Sequence, residues 1–418
     1  MKFAHLAGVS ALLLASTALA ETPEETAAAA LEATPVFDGH NDVPIQLRGR
    51  WRNMIGEFDF EDTTETGPEH SEGRTMHTDL TRLREGKVGA QFWSVYVSAS
   101  LEEPQAVQAT IEQIDVTHRL IDRYPDELML ALTADDVEAA LAQGRIASLI
   151  GMEGGHSIGS SLAVLRQMYA IGARYMTLTH SKNTPWADSA TDAPEHDGLT
   201  GFGEDLVREM NRLGMLADLS HVSEVTMHDV LDVAKAPVIF SHSGARAING
   251  HARNVPDSVL RRLPDNGGVV MVVALPGFLS EPTRQWYAAH QAEKARLETL
   301  WQGQPDIVEA KLAEWGAANP EPKATISDMA DHIDHIRAVA GIDHIGIGGD
   351  YDGMATGPVG MEDVTGYPAL FAELARRGYS QEDLEKISLR NALRALRAAE
   401  AYAASVSDMP PIETPVPE

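Results

Sequence analysis

The 418-residue sequence contains no cysteine, so neither a disulfide nor a lipidated cysteine can form. Positive charge is also scarce: 33 Lys and Arg stand against 62 Asp and Glu, a formal net charge of -29. Neutralising phosphates needs clustered Lys and Arg, and the sequence has no such cluster, which argues against a nucleic-acid partner. The excess acid reads as solvated surface. Long apolar runs are the third absence, since nothing after residue 20 approaches the roughly 20 apolar residues a spanning helix needs. The start differs. In MKFAHLAGVSALLLASTALA, Lys2, a short apolar stretch from Leu6 to Leu14 and a closing Ala-Leu-Ala give the pattern of a secretory signal peptide over residues 1–20. The expectation is an exported protein with no stable membrane anchor after signal cleavage, and long enough to bury a core without disulfides.

What the sequence does hold is an alternation. Eight short apolar runs, at 35–42, 89–97, 146–153, 174–180, 215–221, 237–243, 268–274 and 344–350, are separated by helix-period segments such as AVQATIEQIDVTHRLIDRY and FGEDLVREMNRLG. Thr, Ser and Asp near the helix starts suit N-caps, and glycine after Leu213 and Ala340 suits C-terminal caps. Strand then helix, eight times, predicts an α/β fold of the (β/α)8 TIM-barrel type. A doubly wound open sheet is the alternative that periodicity leaves open. Residues 21–406 are expected to form one catalytic domain, with a helical insertion near 283–323 in the seventh strand-to-helix connection. The proline-rich acidic tail, 407–418, is expected to be mobile.

Six of the eight runs end in residues that carry chemistry: His40 and Asp42, Glu153, His180, His221, His242 and Asp350. In a barrel these ends converge on the C-terminal face, where catalytic groups of this fold sit. His40 and Asp42, two apart on an extended segment, point the same way. With Glu153, His221 and His242 they make three imidazoles and two carboxylates, more than one zinc takes from protein. Two ions bridged by Glu153 would account for all five, and a hydroxide held between them is the expected nucleophile. The other histidines, in loops and helices, serve as an internal control. A rival sits inside the third run's connection: GHSIG (155–159) matches the G-x-S-x-G elbow of serine hydrolases and makes Ser157 a candidate nucleophile. That reading leaves His40, Asp42, His221 and His242 unexplained. Ser157 is instead expected close to an N-cap of the following helix, and His156 as a packing residue near the site.

The strings DGHNDVP, GMEGGHS, YMTLTHSKNTPWAD, ADLSHVS, FSHS, RNVPD and DHIGIGGDYDG, in this order and at comparable spacing, resemble the membrane dipeptidase (renal dipeptidase) family of zinc peptidases, from about Val36 to Leu393. The resemblance implies a binuclear zinc (β/α)8 barrel that hydrolyses dipeptides and tolerates a D-residue at the C-terminal position. It implies that His40 and Asp42 hold the first zinc, His221 and His242 the second, and that Glu153 bridges them. It further implies that His180 contacts the substrate near the scissile carbonyl, Arg253 holds the substrate carboxylate, and Asp350 is the general acid/base, with Asp352 a nearby rival. Mammalian members carry disulfides and a C-terminal lipid anchor, whereas this chain has no cysteine and no hydrophobic tail, so a free protein of the bacterial periplasm is expected. A homodimer is implied by the resemblance alone. Arg246, Trp186 and the MVVALPGFLS turn are further candidates for substrate contact. Related binuclear barrels cleave lactones, phosphotriesters, β-lactams or N-acyl amino acids, because fold does not fix substrate. Arg253 discriminates, since it is useful only toward a carboxylate.

Overall fold

A computed structural model of the protein describes residues 21–64 and 75–414. The signal-like residues 1–20, the last four residues of the tail and His70 lie outside it. Nine strands are present among the described residues: β1 (Val36–Asn41), β2 (Val88–Ser94), β3 (Leu128–Leu130), β4 (Ile146–Glu153), β5 (Ala173–Thr177), β6 (Leu216–Asp218), β7 (Ile239–Ser243), β8 (Val269–Val273) and β9 (Ile345–Gly348). Eight of them run parallel in the order β2, β1, β9, β8, β7, β6, β5, β4, and pairing of β2 with β4 closes the ring. The fold is therefore the (β/α)8 barrel expected from the alternation, and closure excludes the open sheet. β3 is the element the alternation did not reveal. It pairs with the first half of β4, Leu128 opposite Ile146, on the edge that β5 takes over from Ile150 onward.

Alternation along the strands explains the core. In β4, Ile146, Ile150 and Met152 pack outward with the surrounding helices, while Ala147 and Leu149 pack with Phe37, Phe92, Tyr175 and Met271 inside the barrel. Two inward positions must be glycine: a Cβ on Gly151 would lie 2.0 Å from the Tyr175 ring, and one on Gly348 would lie 1.8 Å from the Ser241 carbonyl oxygen. Glu153 follows at the upper end of that inward row.

Caps fix where the helices begin. Thr133, Thr200, Ser223 and Thr325 each accept a backbone N–H in the first turn that follows. After β4, however, the N-cap is Ser161, and Ser157 sits in a short 3-10 turn, Gly155–Ile158. The N-cap expectation for Ser157 is thus corrected: the sharp turn after Glu153 uses Gly154 at φ 103° and delays the helix by four residues. Between β8 and β9, helices Glu281–Leu300 and Pro305–Ala318 meet through the rings of Trp286 and Trp315, 5.8 Å apart. At the C-terminus, the Ile412 N–H donates to Glu209 at 3.1 Å. No helix among the described residues is long and apolar enough to cross a membrane.

Candidate metal centre and cleft

The strand ends do converge. Asp42, Glu153, His180, His221, His242, Arg253 and Asp350 line one cleft of about 310 Å³ at the C-terminal end of the barrel, and His40 lies fully buried against them. That volume is near the lower limit of ordinary small-ligand sites. Asp42 is not part of the extended segment: β1 stops at Asn41, and Asp42 stands at the N-cap of helix Val43–Trp51 with φ -96° and ψ 22°. The two side chains still meet, His40 Nε2 lying 3.4 Å from Asp42 Oδ2.

Glu153 is at the centre. Its Oε1 lies 3.0 Å from His221 Nε2, 3.5 Å from His242 Nε2 and 3.7 Å from His180 Nε2. Its Oε2 lies 3.5 Å from His40 Nε2 and accepts the Ser94 hydroxyl at 3.2 Å. Three overlapping groups bring ligand atoms within 4.8 Å of one another: His40, Glu153 and His242; Glu153, His180 and His221; His40, Asp42 and Asp350. His180 thus joins the histidines around Glu153, slightly farther out than the three sequence-derived ligands.

Whether these residues suit a metal is answered by their unused atoms. His40 Nε2 and Asp42 Oδ1 are buried and have no hydrogen-bond partner, and the Nε2 atoms of His221 and His242 face each other at 3.0 Å. Buried polar atoms are nearly always satisfied, and a knot of imidazole nitrogens and carboxylate oxygens is the donor set of zinc. The electrostatics agree for His221 and His242, whereas at His40 burial is outweighed by Tyr175, Glu153 and Asp42, which raise its imidazole well above the usual range. Burial pushes the His221 and His242 imidazoles well below their usual range, and nearby positive groups add to it. They are thereby neutral, the form that binds metal. Burial works to raise the Glu153 carboxyl, but the imidazoles, His40 foremost, outweigh it and hold it well below the carboxylate range.

The support beneath these side chains is buried and polar. The Asp38 carboxylate accepts the backbone N–H groups of His40 at 3.0 Å and Gly349 at 2.8 Å and the Tyr367 hydroxyl at 2.6 Å, tying β1 to the end of β9. His40 Nδ1 meets the Tyr175 hydroxyl at 2.9 Å. His221, Asp350 and Asp352 all have positive φ, 70°, 61° and 67°, conformations that cost non-glycine residues energy and collect at functional sites.

Arg253 is 2% exposed. It donates to the Ser243 hydroxyl and the His242 carbonyl, each at 3.3 Å, and lies over the Phe278 ring. Its Nε has no acceptor, and no carboxylate pairs with it among the described residues. Burial lowers its pKa to about 10, so it is still a cation at neutral pH. Asp350, across the cleft, has its carboxyl raised well above the usual range by burial, with the charges of Asp42 and Glu153 adding and those of His40 and Arg253 opposing.

The other candidates separate cleanly. Asp352 also borders the cleft, but its Oδ1 accepts the His77 N–H at 2.9 Å while its own N–H donates to His77 Nδ1. Trp186 is fully buried against Phe202, and Arg246 pairs with Glu224; neither lines the cleft. The MVVALPGFLS turn contributes Leu275 and Phe278 to its wall. Tyr96, Ile45 and Gln46 line it too and were not singled out from sequence. Tyr96 had a signal, because it stands one residue before the end of the second apolar run, at the same barrel end. His156 packs behind the site, its Nε2 3.2 Å from the Ser98 carbonyl. Ser157 is fully buried and its Oγ has no partner, so no base activates it. Ser157→Ala is expected to leave kcat/KM within about twofold and stability within about 1 kcal/mol, checked by dipeptide kinetics and a thermal melt.

Comparison with known proteins agrees with this geometry. Residues 24–409 match the family model described as membrane dipeptidase, peptidase family M19. Dipeptidase 3 of Rattus norvegicus is 40% identical over 399 residues, 94% of this chain and 71% of its own, and Dipeptidase 3 of Homo sapiens is 41% identical over 396 residues, 94% and 70%. A metallopeptidase from Rhodobacter sphaeroides, solved with a phosphinate mimic of the dipeptide L-Ala-D-Ala, superposes with a TM-score of 0.71 at 25% identity, covering 88% of this chain and 99% of that one. The probable dipeptidase PvdM from Pseudomonas aeruginosa shares the fold, with a TM-score of 0.76 at 24% identity over 91% of this chain and 99% of its own. A buried set of imidazoles and carboxylates at the mouth of a closed barrel, within a match that spans nearly the whole described chain, identifies this protein as a member of peptidase family M19, the membrane dipeptidases, and as a metallo-dipeptidase.

Proposed function

We propose that the centre holds two zinc ions bridged by Glu153, with His40 and Asp42 on one side and His221 and His242 on the other, and that the substrates are free L-Xaa-L-Xaa and L-Xaa-D-Xaa dipeptides. Zinc in such a site lowers the pKa of water toward neutrality and polarises a carbonyl. The remaining work falls to the chain. Arg253 grips the substrate carboxylate, His180 stabilises negative charge developing on the scissile carbonyl oxygen, and Asp350 takes the proton released by the attacking water and passes it to the leaving amine. We place export on residues 1–20, a periplasmic location and a homodimer in the same reading; sequence pattern and family likeness support them.

The observation that carries this function is Arg253, buried without a carboxylate in ion-pair contact among the described residues and lining the same cleft as Asp42, together with the unpartnered His40 Nε2 and Asp42 Oδ1. Burial opposes the Arg253 charge more than Asp350, Glu153 and Asp218 offset it, and a dipeptide's carboxylate in direct contact relieves it. The Rhodobacter relative's L-Ala-D-Ala mimic supports tolerance of a D-residue. The test combines elemental analysis of purified protein with a screen of L-L and L-D dipeptides, their C-terminal amides and N-acyl amino acids, with and without chelator. Two zinc ions per chain, chelator-sensitive dipeptide hydrolysis and at least about a 100-fold lower kcat/KM for the amides are expected. Absence of metal, or hydrolysis of N-acyl amino acids but of no dipeptide, would overturn it.

A further inference from the structure

The hydrogens around His242 can be placed by counting. Asp218, fully buried at the end of β6, receives the N–H groups of Ser220 at 3.1 Å and Ser241 at 2.8 Å on Oδ1, and the hydroxyls of Thr177 at 2.5 Å and Ser241 at 2.7 Å on Oδ2. As a carboxylate Asp218 only accepts, and these four donors occupy both of its oxygens. A serine hydroxyl has one hydrogen, and Ser241 gives it to this carboxylate; its other acceptor, Ser220 Oγ, is 3.5 Å away. The Ser241 oxygen, 2.8 Å from His242 Nδ1, is then limited to accepting from that ring. His242 carries its hydrogen on Nδ1, and Nε2 presents a lone pair to Glu153 and His221. His40 differs, because the Tyr175 hydroxyl on its Nδ1 can donate or accept and leaves the tautomer open.

We infer that Asp218 and Ser241 are positioning residues that fix the tautomer of His242 through an ordered chain of hydrogen bonds, readying Nε2 to bind metal. This rests on the zinc reading above. Such outer partners typically contribute 10- to 100-fold in metal affinity. Asp218→Asn reverses the chain: the amide oxygen keeps the two backbone N–H groups, the amide nitrogen donates to Ser241, and Ser241 must turn its hydrogen toward His242 Nδ1, moving the ring hydrogen to Nε2.

The experiment equilibrates wild-type holoenzyme, Ser241→Ala and Asp218→Asn against a series of buffered free-zinc concentrations and counts zinc per chain. Histidine ring nitrogen shifts of the metal-free full-length chain and thermal midpoints are recorded alongside. Ser241→Ala is expected to lose one of two ions at about 10- to 100-fold higher free zinc than wild type. Asp218→Asn is expected to do so at least as strongly, with the His242 hydrogen on Nε2. Wild-type His242 protonated at Nε2, or both variants holding both ions at wild-type free zinc, would overturn the inference. If Asp218→Asn does not fold, Ser241→Ala and the wild-type shifts decide. A wild type that binds no zinc pair refutes the zinc reading itself, whereas two ions with unaltered variants refutes only the relay.

Discussion

Glu153→Ala is expected to lower dipeptide kcat/KM by more than about 1,000-fold, equivalent to about 4 kcal/mol of transition-state stabilisation, and to reduce bound zinc from two ions per chain to one or none. The argument is geometric. One Glu153 oxygen faces His221, His242 and His180, and the other faces His40, so among the described residues Glu153 is the carboxylate in contact with the histidines of both sides. Removing it also leaves imidazoles crowded together without their anion, the His40 and His242 rings being 3.8 Å apart and those of His180 and His221 4.2 Å. Elemental analysis and kinetics on the same preparation provide the check. Two retained ions with a tenth or more of wild-type activity would rule out the bridging role.

Asp350→Asn separates chemistry from metal binding. Asp350 joins the His40 and Asp42 group without being one of the proposed ligands, and its backbone N–H is fixed by the His40 carbonyl at 3.0 Å. A Cβ on Gly353 would lie 2.6 Å from Asp350 Oδ1, so the loop packs closely against the carboxylate and holds it in place. Asparagine preserves shape and removes the proton carrier. The expected result is a fall in kcat of about 10²- to 10⁴-fold, with zinc content and KM close to wild type. Unchanged kcat in a protein that still holds both ions would move the proton-carrying role elsewhere, with Asp352 next in line.

The barrel was legible because each strand-and-helix unit writes its own period into the chain, and because the residues ending six of the runs are too polar for a core to take without a use. β3 escaped because three residues, Leu128–Leu130, are too few to display a period. The two-residue spacing of His40 and Asp42 led to the right neighbours by a partly wrong route, since the chain leaves the strand at Asn41 and it is the start of a helix that turns Asp42 inward. Asp38, Asp218, Tyr175 and Ser241 were not readable as supports. Their roles depend on which residue of one strand stands beside which of the next, and register shifts in β1 and β7 lie outside any local pattern. Leu275 and Phe278 were approached only through the turn that carries them.

The first and last strands of the ring, β1 and β9, touch through a short seam, with Asp38 opposite Ile347 and a bridge from Asn41 to Tyr351. His40 and Asp42 stand on one side of that seam and Asp350 on the other, while Glu153, His221 and His242 come from the strands between. The centre therefore does not exist in any fragment of the chain. It comes into being only when β1 is folded against the strands that lead to Glu153, His221 and His242, so that bound metal, favouring the folded state alone, acts as a clasp on a long loop the polypeptide has to close.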